Sequence, residues 1–322
     1  MENVVGKKPK ILVIGGTNRF GKLVVDASIR ANHATFVFTR PPVTDDTQKK
    51  KILESFTCLG VELIFGSLHD YEMLLEAVKK VDVIISTLGS DPVQLELQTK
   101  IIKAIMEAGN IKRFIPSEFG MDPERVSPLE PAKTVFMMKA QIRQMIRNYK
   151  IPHTFIRSHI FQNFYIPRLG QAEISPPIYD TVGIIGDGDA QVIYVNARDI
   201  ATYVIKTVDD PRTLNKILYI TPRENFYSLN QLVALWEKKI GKTLQKKYVT
   251  KEEMLAKISC SPPSLSFQLS IAYSVYINGV QSNFNIDPSS AVEATELYPE
   301  VDYITVEEFM DSLLSPIKDN LE

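Results

Sequence analysis

Lys10 to Lys22 read KILVIGGTNRFGK: a short apolar run, two adjacent glycines, then the opening of a helix. A strand, here Ile11 to Ile14, that passes through a glycine turn into a helix is how a phosphate-cradling βαβ unit begins. Gly16 serves the tight turn and Gly21 the close packing of helix on strand. Where the pattern G-x-G-x-x-G places its middle glycine, this chain has Asn18. Glycine there lets the backbone approach a pyrophosphate. Asparagine tolerates left-handed backbone better than most residues, so the turn can still close. Its side chain is then placed either to bond a phosphate or to crowd it, and Arg19 adds a charge beside it.

Outward from this turn, short β-branched runs alternate with amphipathic segments. The strands expected are KILVIG, TFVFTR (Thr35 to Arg40), VELIFG (Val61 to Gly66), VDVIIST (Val81 to Thr87), KRFIPS (Lys112 to Ser117) and HTFIRS (His153 to Ser158). A helix is expected over Pro92 to Ala108, stopped by Gly109. Such alternation implies right-handed βαβ units and a doubly wound, parallel Rossmann-type sheet. Ligands bind at the carboxyl ends of its strands, so the loops after Ile14, Arg40, Thr87 and Ser117 should face one. After about residue 158 the rhythm changes. PPIYDTVGIIGDGDAQVIYVN is rich in turns and strands, and capped helices follow, with Ser228 before LNQLVALWEKKIG and a Thr250/Glu253 capping box. The expected division is a dinucleotide-binding domain over 1–158 and a smaller α+β substrate subdomain over 159–322, with some later segments returning to the sheet.

The second strand ends in Arg40, at the distance from Gly21 where Asp or Glu would accept the ribose 2'-hydroxyl of NAD. Arginine suits the 2'-phosphate of NADP instead, with Lys49 as a second cation; the alternative is a surface arginine beside the Pro41-Pro42 turn.

A net charge of -1 argues against a polyanion-binding surface, and so against nucleic acid as a main partner. The two cysteines, Cys58 and Cys260, give neither a disulfide framework nor a zinc pattern, and the four histidines show no metal-ligand spacing. The first ten residues lack the apolar stretch of a signal peptide, and no run is long enough to span a bilayer. The expectation is a cytoplasmic protein with no metal and no membrane partner; a homodimer is left open.

The run IKRFIPSEFGMDPERVSPLEPAKTVFMMKAQIRQMI (Ile111 to Ile146) resembles the plant isoflavone reductase-like group, an NmrA-type branch of the atypical short-chain dehydrogenases. That group includes phenylcoumaran benzylic ether reductases, pinoresinol–lariciresinol reductases, leucoanthocyanidin reductases and eugenol synthases. VDDPRTLNK, LVALWEKKIGKTL and VEATELYPEVDYITVEEF extend the resemblance over nearly the whole chain. It implies an NADP(H) cofactor held by Gly15, Thr17, Asn18, Arg19, Phe20 and Gly21, with Arg40 and Lys49 on the 2'-phosphate. It also implies Thr87 near the nicotinamide-side ribose, a catalytic lysine at Lys139, and a cofactor-contacting arginine one turn later at Arg143.

An ordinary short-chain reductase carries tyrosine four residues before that lysine; here the position is Val135. The lysine itself, or a water, must do the acid–base work, and an ammonium needs its pKa lowered to serve at neutral pH. Two further departures lie on the substrate side: His159 stands where asparagine is frequent, and Tyr273 where many members carry histidine. Phe161, Phe164 and Tyr165 would suit an aryl substrate or simple core packing. The reading is an NADPH-dependent reductase of a small aromatic plant metabolite: a phenylpropanoid, lignan-type benzylic ether or isoflavonoid. The alternative is the same scaffold in redox-neutral chemistry, or as a cofactor-sensing protein, because of Asn18.

Overall fold

The computed structural model describes residues 8–43, 46–281 and 286–314. Its first half is built from β1 (Ile11–Ile14), β2 (Thr35–Thr39), β3 (Glu62–Phe65), β4 (Val83–Ser86), β5 (Arg113–Ile115) and β6 (Thr154–Arg157). Between them run α1 (Arg19–Arg30), α2 (Thr47–Cys58), α3 (Tyr71–Lys79), α4 (Pro92–Ala108) and α5 (Ala132–Asn148). Strands β1, β2 and β4 are buried along their whole length, which is why they read as continuous β-branched runs. Helix α4 begins with Asp91 accepting from the Gln94 N–H and Pro92 in its first turn, and ends at Gly109 with φ 66°.

The parallel ladder runs β3–β2–β1–β4–β5. A parallel bridge between Phe114 and His153 carries it on to β6, and β6 pairs with β10 (Lys216–Tyr219), which pairs with β13 (Ala291–Glu293). The order reverses between β1 and β4, and the crevice at that switch point is where an open α/β sheet binds ligands. In register, Ile14 lies beside Phe38 on one side and Ser86 on the other. The strand ends therefore finish level and their loops meet above the same crevice.

Strand periodicity sorts the core into two faces. Leu12, Ile14, Phe36, Phe38, Ile84 and Phe114 pack against α3, α4 and α5, through residues such as Leu74, Ile101 and Ile142. Ile11, Val13, Val37, Val83 and Ile85 pack against α1, α2 and α7 (Ala197–Lys206), through Val24, Leu53 and Ile200.

A further apolar cluster belongs mostly to the later chain. It joins β8 (Thr181–Ile185) and β9 (Val192–Val195) to α8 (Leu229–Ile240), α9 (Lys251–Cys260), α10 (Pro263–Tyr276) and α12 (Val306–Leu314). Trp236 anchors it, donating from its ring nitrogen to the Ile178 carbonyl at 2.7 Å. The capping boxes at Ser228 and Thr250 both form, which fixes where α8 and α9 start. The remaining short elements are β7 (Ile160–Phe161), α6 (Gln162–Tyr165), β11 (Phe226–Tyr227), β12 (Gln245–Val249) and α11 (Ala294–Leu297). Among the described residues no helix is long and apolar enough to cross a membrane.

Candidate active site

The crevice opens as a groove of about 380 Å³ lined by Gly15, Thr17, Asn18, Arg40, Lys49, Leu88 and Gln94, with Gly66 to His69 on the far wall. The glycines are there because side chains would not fit. Gly15 has φ 87°, and a Cβ on it would lie 2.9 Å from Thr87 Oγ1; a Cβ on Gly21 would lie 2.2 Å from the Gly15 carbonyl. The loop is thus pressed against the end of β4, leaving its outer face to a ligand. Thr87 is buried beneath it, and its hydroxyl donates to the Ile14 carbonyl at 3.1 Å.

Asn18 neither fills the groove nor copies glycine. It has extended backbone, φ -78° and ψ 172°, and caps α1: its Oδ1 accepts from the Gly21 N–H at 2.8 Å. Its Nδ2 donates to the Thr87 carbonyl at 2.5 Å. Both polar ends of the amide are therefore bonded within the protein, and the side chain ties the glycine loop to the end of β4.

Beside the groove Arg19, Lys22, Arg40 and Lys49 ring a shallow basin, with Asp46 as its acid. Burial first, then the nearby Arg40 guanidinium, hold the Lys49 ammonium below its ordinary value, against the pull of Asp46. Two cations that repel one another across an open basin fit a dianion such as a 2'-phosphate, which would relieve the repulsion. The loop, the basin and the absence of an acid at the end of β2 together suit NADP(H).

Lys139 lies on α5 and is 8% exposed. Its Nζ donates to the Glu118 carbonyl at 2.7 Å and to Ser90 Oγ at 3.3 Å. Burial is the main cause that pushes its pKa down to about 8; Glu118 opposes the shift and Arg143 adds to it. The β4–α4 loop connects this lysine to the groove, since Leu88 lines the groove and Ser90 reaches Lys139. Phe119, the residue after Glu118, meets Phe20 at a tilt of 59° with 4.7 Å between centroids, and Phe20 meets Phe161 edge-on at 5.6 Å. These three rings form an aromatic wall drawn from the first turn of α1, the β5–α5 loop and β7.

Other expected site residues lie elsewhere. Arg143 is 0% exposed, and its guanidinium is engaged by carboxylates of the β5–α5 loop. It forms a two-pronged pair with Glu118 at 2.7 and 2.6 Å, bonds Asp122 at 2.8 Å and Glu124 at 2.9 Å, and stacks on Phe155. Burial opposes its charge, but the three carboxylates outweigh that and raise its pKa. His159, 1% exposed with φ 55°, sits beside Arg157 and Gln281, and burial holds its pKa well below the ordinary value. Its enclosure disfavours the charged form. Tyr273, 4% exposed, packs in the α10 core, because that helix is apolar on nearly every side. Neither side chain lines the groove. Tyr165 packs against the same core, its phenol close to those of Tyr194 and Tyr276, and burial raises its pKa. Phe164 stacks edge-on with Tyr165 at 5.0 Å and beneath Arg168.

The sequence reading gave no role to Glu118, Ser90 or the Ser67–His69 wall. A glutamate three residues past a strand end and two before a glycine, in SEFG, is the signal that was available for Glu118.

Residues 7–310 match the NmrA-like family. Over 306 residues the chain is 51% identical to eugenol synthase 1 of Petunia hybrida, spanning 95% of this chain and 99% of that one. It is 50% identical over 307 residues to phenylcoumaran benzylic ether reductase Betv6 of Betula pendula, with the same coverage, 95% and 99%. The solved binary complex of leucoanthocyanidin reductase from Vitis vinifera with NADPH superposes with a TM-score of 0.88 at 33% identity, covering 95% of this chain and 100% of that one.

Proposed function

Because the chain belongs to the NmrA-like family, we propose that it reduces a phenylpropanoid-type aromatic substrate with NADPH, and that Lys139 moves the phenolic proton. It is an NADP-dependent oxidoreductase of the isoflavone reductase-like group. The observation that carries the finer reading is a buried lysine, pushed down to about 8, reached from the cofactor groove across one short loop.

NADPH, when bound, supplies the hydride; the chain's own residues do the rest. Gly15 and Gly21 keep the loop close enough for a pyrophosphate to rest on it. Arg40 and Lys49 would hold the 2'-phosphate, and the Phe20, Phe119 and Phe161 wall would orient an aryl ring. The substrate class is an aromatic with a free phenol conjugated to a benzylic or allylic leaving group. Lys139, neutral in a useful fraction near pH 7, takes the phenolic proton at Nζ. The released electron pair expels the leaving group, which departs with the C–O bonding pair and takes a proton from solvent. The ring is left as a quinone-methide-like acceptor at the carbon to be reduced; the proton held on Lys139 returns to the phenolate once the ring regains its aromaticity. The Glu118 carbonyl and the Ser90 hydroxyl hold Nζ in place during the transfer.

The test is turnover of p-hydroxyaryl benzylic ethers and allylic esters by wild-type protein and Lys139→Ala, with NADPH binding followed separately. A positioned general base contributes about 10²- to 10⁴-fold, so the variant should lose at least about 100-fold in kcat while keeping its NADPH affinity. Unchanged turnover would refute the assignment of Lys139.

A further inference from the structure

We propose that Glu118, clamped from behind by Arg143, is a positioning residue for Lys139: its carbonyl aims Nζ at the substrate, and its carboxylate sets the charge behind it. The inference rests on Lys139 being the acid–base group.

Lys139 and Arg143 are one turn apart on α5 and reach the same upstream residue by different groups. Lys139 Nζ bonds the Glu118 main-chain oxygen at 2.7 Å. Arg143 grips both oxygens of the Glu118 carboxylate, at 2.7 and 2.6 Å, in the parallel geometry of an ionised pair. Burial drives the Glu118 carboxyl up and Arg143 opposes it; the two-pronged bond is the reason to read it as charged.

The loop that presents this carbonyl is held from several directions. The Ser117 N–H donates to Gln98 Oε1 at 2.7 Å, and its hydroxyl to the Leu88 carbonyl at 2.6 Å. The N–H groups of Ser158 and His159 both donate to the Gly120 carbonyl at 3.2 Å. Between these anchors Phe119 has φ 31°, a left-handed backbone that a bulky residue adopts only when its surroundings impose it. That rotation is about the Phe119 N–Cα bond, which adjoins the peptide whose carbonyl accepts Lys139, so it sets how that peptide plane is turned. Arg143 also bonds Asp122 and Glu124, tying the first half of the loop to α5.

The charges that bear on Lys139 are Glu118, which holds its proton, and Arg143, which repels it. From the β4–α4 loop it meets the neutral Ser90 hydroxyl. The buried residues of α4 are uncharged, and α10 brings only Tyr273 and Tyr276 as ionisable groups. Removing the Glu118 charge leaves Arg143 less compensated, so both changes push Lys139 in the same direction, towards the neutral amine.

The test reads Lys139 without cofactor or substrate. In protein labelled with ¹³C at lysine Cε, the Lys139 signal is assigned by its loss in Lys139→Arg and titrated with pH in wild-type protein and Glu118→Gln. The midpoint should fall in Glu118→Gln by on the order of one pH unit, and the pH limb of kcat/KM should fall with it. That direction holds whether the neutral or the charged lysine is the active form. An unmoved midpoint in a folded variant overturns the proposal. A midpoint that moves while the kcat/KM limb stays supports the Glu118–Lys139 coupling and refutes Lys139 as the acid–base group. Glu118→Asp is the second variant, and the one that decides if Glu118→Gln does not fold. It keeps the charge and shortens the reach, so its midpoint should stay near wild type while kcat falls several-fold at constant KM. Unchanged kcat there overturns the positioning role.

Discussion

Replacing Lys139 by methionine should make the protein more stable near neutral pH and erase that gain in alkali. Burial takes the ammonium from its ordinary 10.5 to about 8, a difference of about 3 kcal/mol at about 1.4 kcal/mol per pH unit. The sign follows from proton binding. Below about pH 8 both folded and unfolded chains hold the proton, so folding carries the full penalty of burying the charge. As pH rises from about 8 towards 10.5 the folded protein releases its proton first, and the penalty disappears. Methionine keeps the length and removes the charge. It also strips the Glu118 carbonyl and the Ser90 hydroxyl of their donor, at about 1 kcal/mol with no pH dependence. The net expectation at about pH 7 is a gain of about 2 kcal/mol, shrinking almost to nothing by about pH 9.5. Urea unfolding of both proteins at the two pH values measures it, and groups that titrate alike in both cancel in the difference. A stability gap that does not change between the two pH values refutes the burial argument, whatever its size.

Arg40→Ala should weaken NADPH binding about 10- to 100-fold and NADH binding less than about twofold, since only the former carries the 2'-phosphate; reduced-nicotinamide fluorescence reads both. Asn18→Gly should lower stability by about 1 kcal/mol, chiefly through the lost bond to the Thr87 carbonyl, because glycine caps a helix nearly as well; NADPH should still bind, and loss of binding would show that the asparagine amide serves the cofactor directly. Phe161→Ala should raise KM for an aryl substrate about 5- to 10-fold with NADPH affinity unchanged, as expected for one aromatic contact.

The sheet was legible because buried parallel strands announce themselves: TFVFT is β-branched or aromatic throughout, VIIS is so up to its final serine, and burial covers both of their faces. Two helix starts were legible from their caps, Ser228 and Thr250, and the end of α4 from Gly109. The glycine loop could be placed, but not the destination of Asn18, since the same amide can face a phosphate or fold back on its own helix. The fold-back removes the objection that this residue closes the cofactor groove. Arg143 shows the other limit. Helical spacing puts it beside Lys139, yet nothing local says that Glu118, Asp122 and Glu124 will fold across it, because that depends on the path of a loop. Tyr273 lies buried in α10, whose only polar stripe, Ser266, Ser270 and Ser274, is buried as well, and a run of small and apolar residues does not say which of its faces meets a pocket.

The account stands or falls on whether phenol deprotonation opens the substrate to hydride. NADPH deuterated at the transferable C4 position, a p-hydroxyaryl benzylic ether and its O-methylated counterpart put that to one measurement. Deuterium should appear at the benzylic carbon of the free phenol, with the O-methyl ether left intact. Equal deuterium transfer to the O-methyl ether, which has no proton for Lys139 to take, would contradict it.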